Sequence, residues 1–271
     1  MRCLIFLIVL PLNACTSVFF HPQSHLLKTP AHNNLAYQDI YFHTADMIRL
    51  HGWWLPAQNE NLGTIVFLHG NAENISTHIN SVAWLPAEGF NVFLFDYRGY
   101  GLSQGQPDLD GLHQDIEAAL SWIRQYQHAS PKIILFGQSL GASLAVTSLA
   151  DSAHREIIQA LIIDSGFTRY RDIAREKLAK FWLTWPFQWP LSLLINNRYQ
   201  PLEAITRINP IPVLIIHGIA DQIVPVQHAK RLHAAAKAPK QLWLIPNGKH
   251  IQSMNNPAIR QRLLDYLRHI T

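Results

Sequence analysis

Short, uninterrupted apolar runs recur along this chain, spaced so that a helix fits between most of them. Residues 64–68, 91–95, 133–136, 157–163, 212–216 and 241–245 each read as a strand. Runs such as Ile65-Val-Phe-Leu68 and Val92-Phe-Leu-Phe95 do not alternate with polar residues. That pattern suits a parallel sheet covered on both faces, and hence an α/β protein. Helices are predicted over 75–88, 112–127, from Ser139 to about Leu149, and over 257–269. Asp110 is placed to cap the second of these. Upstream, 37–42 and 48–55 read as two more strands, and alternation in the second predicts a hairpin that opens the sheet. The least regular stretch, 166–201, contains Phe181-Trp-Leu-Thr-Trp-Pro-Phe-Gln-Trp189. Pro186 and Pro190 are expected to break helix continuity there. Its tryptophans are expected to pack onto the body. An apolar lid that shapes an acyl pocket and touches lipid is compatible with that packing.

One strand end carries chemistry. The run 133–136 leads into Gly137-Gln-Ser-Leu-Gly141 and then a helix-like segment, which is G-x-S-x-G in a strand, turn, helix setting. A turn this tight strains the serine backbone and lifts the Ser139 hydroxyl above the sheet. The helix N-terminus behind it favours developing negative charge. A serine hydroxyl needs a base to take its proton and an acid to orient that base. His250 follows the last strand, in Pro246-Asn-Gly-Lys-His250. Asp221 follows the strand 212–216 and is favoured as the acid by its Asp-x-x-Val-Pro setting. Asp164, at the end of another strand, is its rival, with a bracing role as the alternative. Asp96 precedes the nucleophile and reads as structural. One oxyanion donor is expected from the N–H of Leu140. The other is expected from Asn71 or Ala72, on the loop His69-Gly-Asn-Ala, where His69 reads as a brace.

Together His69-Gly-Asn-Ala, Asp96-Tyr-Arg-Gly-Tyr-Gly-Leu-Ser103, the Ser139 motif, Asp221-Gln-Ile-Val-Pro225 and Gly248-Lys-His250 resemble the α/β-hydrolase superfamily. The resemblance is to the branch of serine-aminopeptidase-like and monoacylglycerol-lipase-like enzymes. It implies a mostly parallel eight-stranded sheet with helices on both faces and a small aromatic cap at about 166–201. It also implies a Ser–His–Asp acyl-enzyme mechanism on a small acyl substrate, with no cofactor and no metal. The substrate is left open among ester, lipid, thioester and peptide, and an acyltransferase with the same triad and a non-catalytic hydrolase-like binding scaffold remain alternatives.

The 271 residues, 48% hydrophobic, suffice for one large core, and no second domain is indicated. Formal net charge is +4, with Lys and Arg scattered, so nucleic acid is not an expected partner; a monomer is expected. His21 and His25 are four apart, but Pro22 between them argues against a metal site. At the front, one arginine, a short apolar run and Leu12-Asn-Ala-Cys15 resemble a bacterial lipoprotein signal. The resemblance implies a signal at 1–14, acylation at Cys15, a tether at 15–36 and the hydrolase domain at 37–271. Thr16 in place of aspartate implies outer-membrane sorting, facing the periplasm. Phe19 and Phe20 are expected either to dip into the membrane interface or to plug the folded body.

Overall fold

The computed structural model describes residues 20–126, 132–180, 182–193, 195 and 198–270. The signal, Cys15 and Phe19 lie outside them. Ten strands are seen among the described residues. Eight form the central sheet: β2 (Gln38–His43), β3 (Arg49–Leu55), β4 (Gly63–Leu68), β6 (Phe90–Asp96), β7 (Ile133–Gln138), β8 (Ile158–Asp164), β9 (Val213–Gly218) and β10 (Lys240–Ile245). Their order is β10-β9-β8-β7-β4-β6-β3-β2. The expected edge hairpin is present: β2 and β3 pair antiparallel, and β3 runs antiparallel to β6. All other neighbours in the sheet are parallel.

The apolar runs explain the layering. Along β4, Val66 and Leu68 enter one core while Ile65 and Phe67 enter the other, because successive side chains point to opposite faces. Both faces are covered, as the sequence requires. Leu112, Ile116 and Ile123 of α2 (Leu109–Tyr126) and Leu144 and Leu149 of α3 (Leu140–Asp151) join the first core. Leu263 and Leu267 of the helix Pro257–Ile270 join the second.

Several local expectations are corrected. The helix expected over 75–88 is broken into α1 (Ile75–His78) and two 3-10 turns, Ile79–Ser81 and Leu85–Glu88. Its buried residues Val82 and Leu85 fall three apart, the 3-10 period, and Pro86 enters the last turn. Asp110 is not the cap of α2. Asp108 accepts from the Gly111 N–H at 2.9 Å, and Asp110 instead binds Arg198 and the Tyr199 hydroxyl. Nor is the chain a loose tether from residue 20 onward. β1 (His21–Pro22) pairs with β5 (Ala72–Glu73), and Phe20 is buried in the first core, which is the plug reading of that residue. Asn74 ties the segment down by donating to the carbonyls of Gln23 and His25.

The 166–201 insertion holds α4 (Tyr170–Ala179), a 3-10 turn (Trp185–Phe187) and α5 (Gln188–Leu193). Pro190 does not break α5, because it sits in the first turn, where its missing N–H has no intrahelical role. The expectation that the tryptophans pack onto the body fails: Trp182, Trp185 and Trp189 are all exposed.

Candidate active site

Parallel strands deliver their following loops to one edge of the sheet. Here the loops after β4, β6, β7, β8, β9 and β10 all gather at that edge. β4 is flanked by β6 and β7, so chain order reverses beside it and leaves a crevice between the loops that follow β4 and β7. Ser139 stands in this crevice. Its φ of 53° and ψ of −112° are the strained turn the sequence predicts. Glycine is required on either side by close backbone approach. A Cβ at Gly137 would lie 2.3 Å from the Gly141 carbonyl oxygen, and one at Gly141 would lie 2.1 Å from that of Leu68.

The three side chains read from the sequence meet. The Ser139 hydroxyl lies 3.0 Å from His250 Nε2, the geometry for donating its proton to the ring. His250 Nδ1–H donates to Asp221 Oδ2 at 2.7 Å. The other oxygen of Asp221 accepts the backbone N–H groups of Ile223 and Val224, at 2.8 and 2.9 Å. Burial pushes the Asp221 carboxyl up. The hydrogen bond and charge of His250, with the two backbone donors, outweigh that and hold it below the usual carboxylate range.

Asp164 makes no hydrogen bond to His250. Its backbone carbonyl accepts from the Ser139 N–H at 2.9 Å. Its carboxylate accepts from Gln138 Nε2 and from the hydroxyls of Ser165 and Ser253. It therefore joins the serine turn to the loop that carries His250, which is the bracing role.

The loop at 69–72 is held by groups whose purpose the sequence did not disclose. Tyr97 donates to the His69 carbonyl at 3.2 Å, and Tyr100 to the Asn71 carbonyl at 2.9 Å. Asp96 accepts from the Ile75 N–H at 2.9 Å, just past the loop. The Asp96-Tyr-Arg-Gly-Tyr motif thus works as scaffolding. His78, unremarked in the sequence, donates from Nε2 to the Ala72 carbonyl at 3.0 Å, and its ring would lie 3.0 Å from a Cβ on Gly70. Asn71, Ala72 and Leu140 all line the cavity beside Ser139. Leu140 is the first residue of α3, so its N–H has no acceptor within the helix.

His69 and Asp96 lie 3.6 Å apart, both fully buried. They do not form an ion pair. Burial drives the Asp96 carboxyl up to about 8, and burial together with neighbouring His78 holds the His69 imidazole well below its ordinary range. Both are neutral at pH 7. Raised on folding from 3.8 to about 8, Asp96 contributes stability that is complete below about pH 4 and is lost as pH rises through 8. Asp96→Asn, neutral at every pH, should remove that slope: its melting temperature should gain on the parent's between pH 5 and pH 9, as followed by circular dichroism. Parallel curves would refute the assignment.

A cavity of about 610 Å³ opens beside Ser139. Leu109, Phe167, Ile173, Ala174, Ile195 and Phe20 supply apolar wall, and Lys177 stands at the rim. That size suits a small organic ligand. Among the described residues no cluster of three or more His, Cys, Asp or Glu could hold a metal ion.

This architecture is that of an α/β-hydrolase. Within that class the chain belongs to the serine aminopeptidase, S33, family, whose profile matches residues 59–206. It is 36% identical over 238 residues to YfhR of Escherichia coli (strain K12), spanning 85% of this chain and 80% of that protein. It is 34% identical over 236 residues to the alpha/beta hydrolase domain-containing protein WAV2 of Arabidopsis thaliana, spanning 83% and 76%. Among solved structures, the esterase Pf2001 of Pyrococcus furiosus superimposes with a TM-score of 0.75, over 93% of this chain and 97% of its own, at 20% identity. That likeness shows the fold.

Proposed function

We propose that the protein is a serine hydrolase of carboxylic esters or related acyl compounds. The observation that carries this is the unbroken hydrogen-bond line from Ser139 through His250 to Asp221. In the first step Ser139 Oγ attacks the acyl carbonyl while His250 Nε2 takes its proton. Asp221 stabilises the resulting imidazolium. The oxyanion is held by the N–H of Leu140 and by that of Asn71 or Ala72. His250 then returns the proton to the departing alcohol, leaving an acyl group on Ser139. Water, deprotonated by His250, attacks this acyl-enzyme and releases the acid.

An ester suits the cavity better than a peptide with a free amino terminus. Such a peptide presents an ammonium group that needs a carboxylate, and among the described residues no Asp or Glu lines this cavity. The esterase Pf2001 shares the fold. The front end supports an exported lipoprotein, acylated at Cys15 and held at the outer membrane facing the periplasm.

A fluorophosphonate probe tests the proposal, since it phosphonylates an activated serine. Mass spectrometry should find one adduct, on Ser139, and Ser139→Ala should abolish both labelling and ester turnover with an unchanged circular dichroism spectrum. Equal labelling of parent and variant would refute the nucleophile.

A further inference from the structure

The outer layer of the cap has the wrong composition for a surface that faces only water. Between Trp182 and Leu193, six large apolar side chains are more than half exposed: Trp182 (76%), Leu183 (53%), Trp185 (59%), Phe187 (57%), Trp189 (62%) and Leu193 (62%). Single exposed apolar residues need no explanation, but a run of this density marks a surface that meets something.

The layer adjoins the candidate active site. Tyr170, Ile173, Ala174 and Lys177 of α4 line the cavity, and the exposed layer packs on this helix. Arg175 lies 4.2 Å from the centre of the Trp189 ring, and Thr184 donates to the Leu178 carbonyl at 2.6 Å. The layer also reaches the cavity mouth. Lys180, two residues before Trp182, donates to the carbonyl of Gln222. The next residue, Ile223, lines the cavity and is 44% exposed.

Charge identifies the partner. Residues 166–201 carry six basic side chains against Asp172 and Glu176; Arg169 and Arg198 pair with Glu203 and Asp110 outside the segment, which leaves a local excess of +2. Here the tryptophans follow the basic residues of the helix they pack on, and tryptophan beside lysine and arginine suits a surface at the headgroup level of a bilayer, where positive charge draws it to anionic lipid. A second copy of the chain fits less well, because a two-fold contact would oppose two patches of like charge. Phe20, the first described residue, also lines the cavity.

We propose that the cap is a docking face for an anionic bilayer, seating the mouth of the Ser139 cavity on the lipid surface whether or not Cys15 is acylated. Substrate is then drawn from the membrane rather than from solution.

The test uses the full chain carrying Cys15→Ser and vesicles of phosphatidylcholine, with or without phosphatidylglycerol, whose acyl chains are brominated. Three of the eight tryptophans lie in the cap, at 182, 185 and 189. Emission should be quenched on vesicles containing phosphatidylglycerol, more weakly on phosphatidylcholine alone, and less as salt rises. Trp182→Ser/Trp185→Ser/Trp189→Ser should lose most of the quenching while hydrolysing a soluble short-chain ester as the parent does. That readout holds even if residues 1–19 bind the vesicle by themselves, because it reports where the cap lies. Absent quenching, equal quenching in the variant, or a solution dimer that shields these tryptophans would overturn the proposal.

Discussion

His250→Ala should lower kcat on a soluble acyl ester by about a millionfold, with KM little changed. The effect is this large because the variant removes the one side chain, among the described residues, that is hydrogen-bonded to the Ser139 hydroxyl. A serine hydroxyl left with its proton attacks a carbonyl no better than water does. The other imidazoles on the cavity wall, His21 and His78, are not hydrogen-bonded to Ser139, and His78 is committed to the Ala72 carbonyl. Ground-state binding should persist, since the apolar wall is untouched. What survives is the rate that a cavity and an oxyanion hole supply alone, about 10³–10⁴ over water. Single-turnover kinetics at saturating ester check this. A loss smaller than about a hundredfold would mean that another base serves Ser139.

Asp221→Asn should lower kcat by about 10⁴ while the fold survives. Oδ1 of Asp221 accepts two backbone N–H groups, from Ile223 and Val224. An asparagine keeps its carbonyl oxygen on those donors, so its NH₂ turns toward His250. Nδ1 must then accept rather than donate. The ring proton moves to Nε2, and the atom that should take the serine proton already carries one. Asp164→Asn is the informative contrast. Its carboxylate joins Gln138, Ser165 and Ser253, so its loss should lower the melting temperature and leave the dependence of kcat on pH in place. Measuring kcat against pH and melting temperature for both variants separates the two acids. Loss of turnover in Asp164→Asn with a normal melting temperature would reverse the assignment.

The site was legible in the sequence to the extent that its chemistry sits at strand ends. An apolar run specifies a buried strand, and the residue that follows it is delivered to the loop edge wherever the strand lies in the sheet. That is why Ser139, Asp221 and His250 could be named without coordinates. Supporting groups were harder to read. Tyr97, Tyr100 and His78 act on the 69–72 loop from other parts of the chain, and nothing in their own neighbourhoods announces it. Two aspartates two residues apart, Asp108 and Asp110, were indistinguishable by type as caps. The first satisfies a helix N–H and the second faces Arg198 and Tyr199 across a gap in the fold.

Sequence by itself determined the parallel sheet, most of its covering helices and the order of Ser139, Asp221 and His250 at strand ends, because each depends on patterning within a few residues. The tertiary structure alone decided which of two strand-end carboxylates touches the imidazole, because that is a distance between loops on different strands. It also decided that the cap tryptophans face outward. Apolar character says that a side chain will leave water if a partner is present. Whether the body supplies that partner depends on the shape of a surface that exists only once the chain has folded.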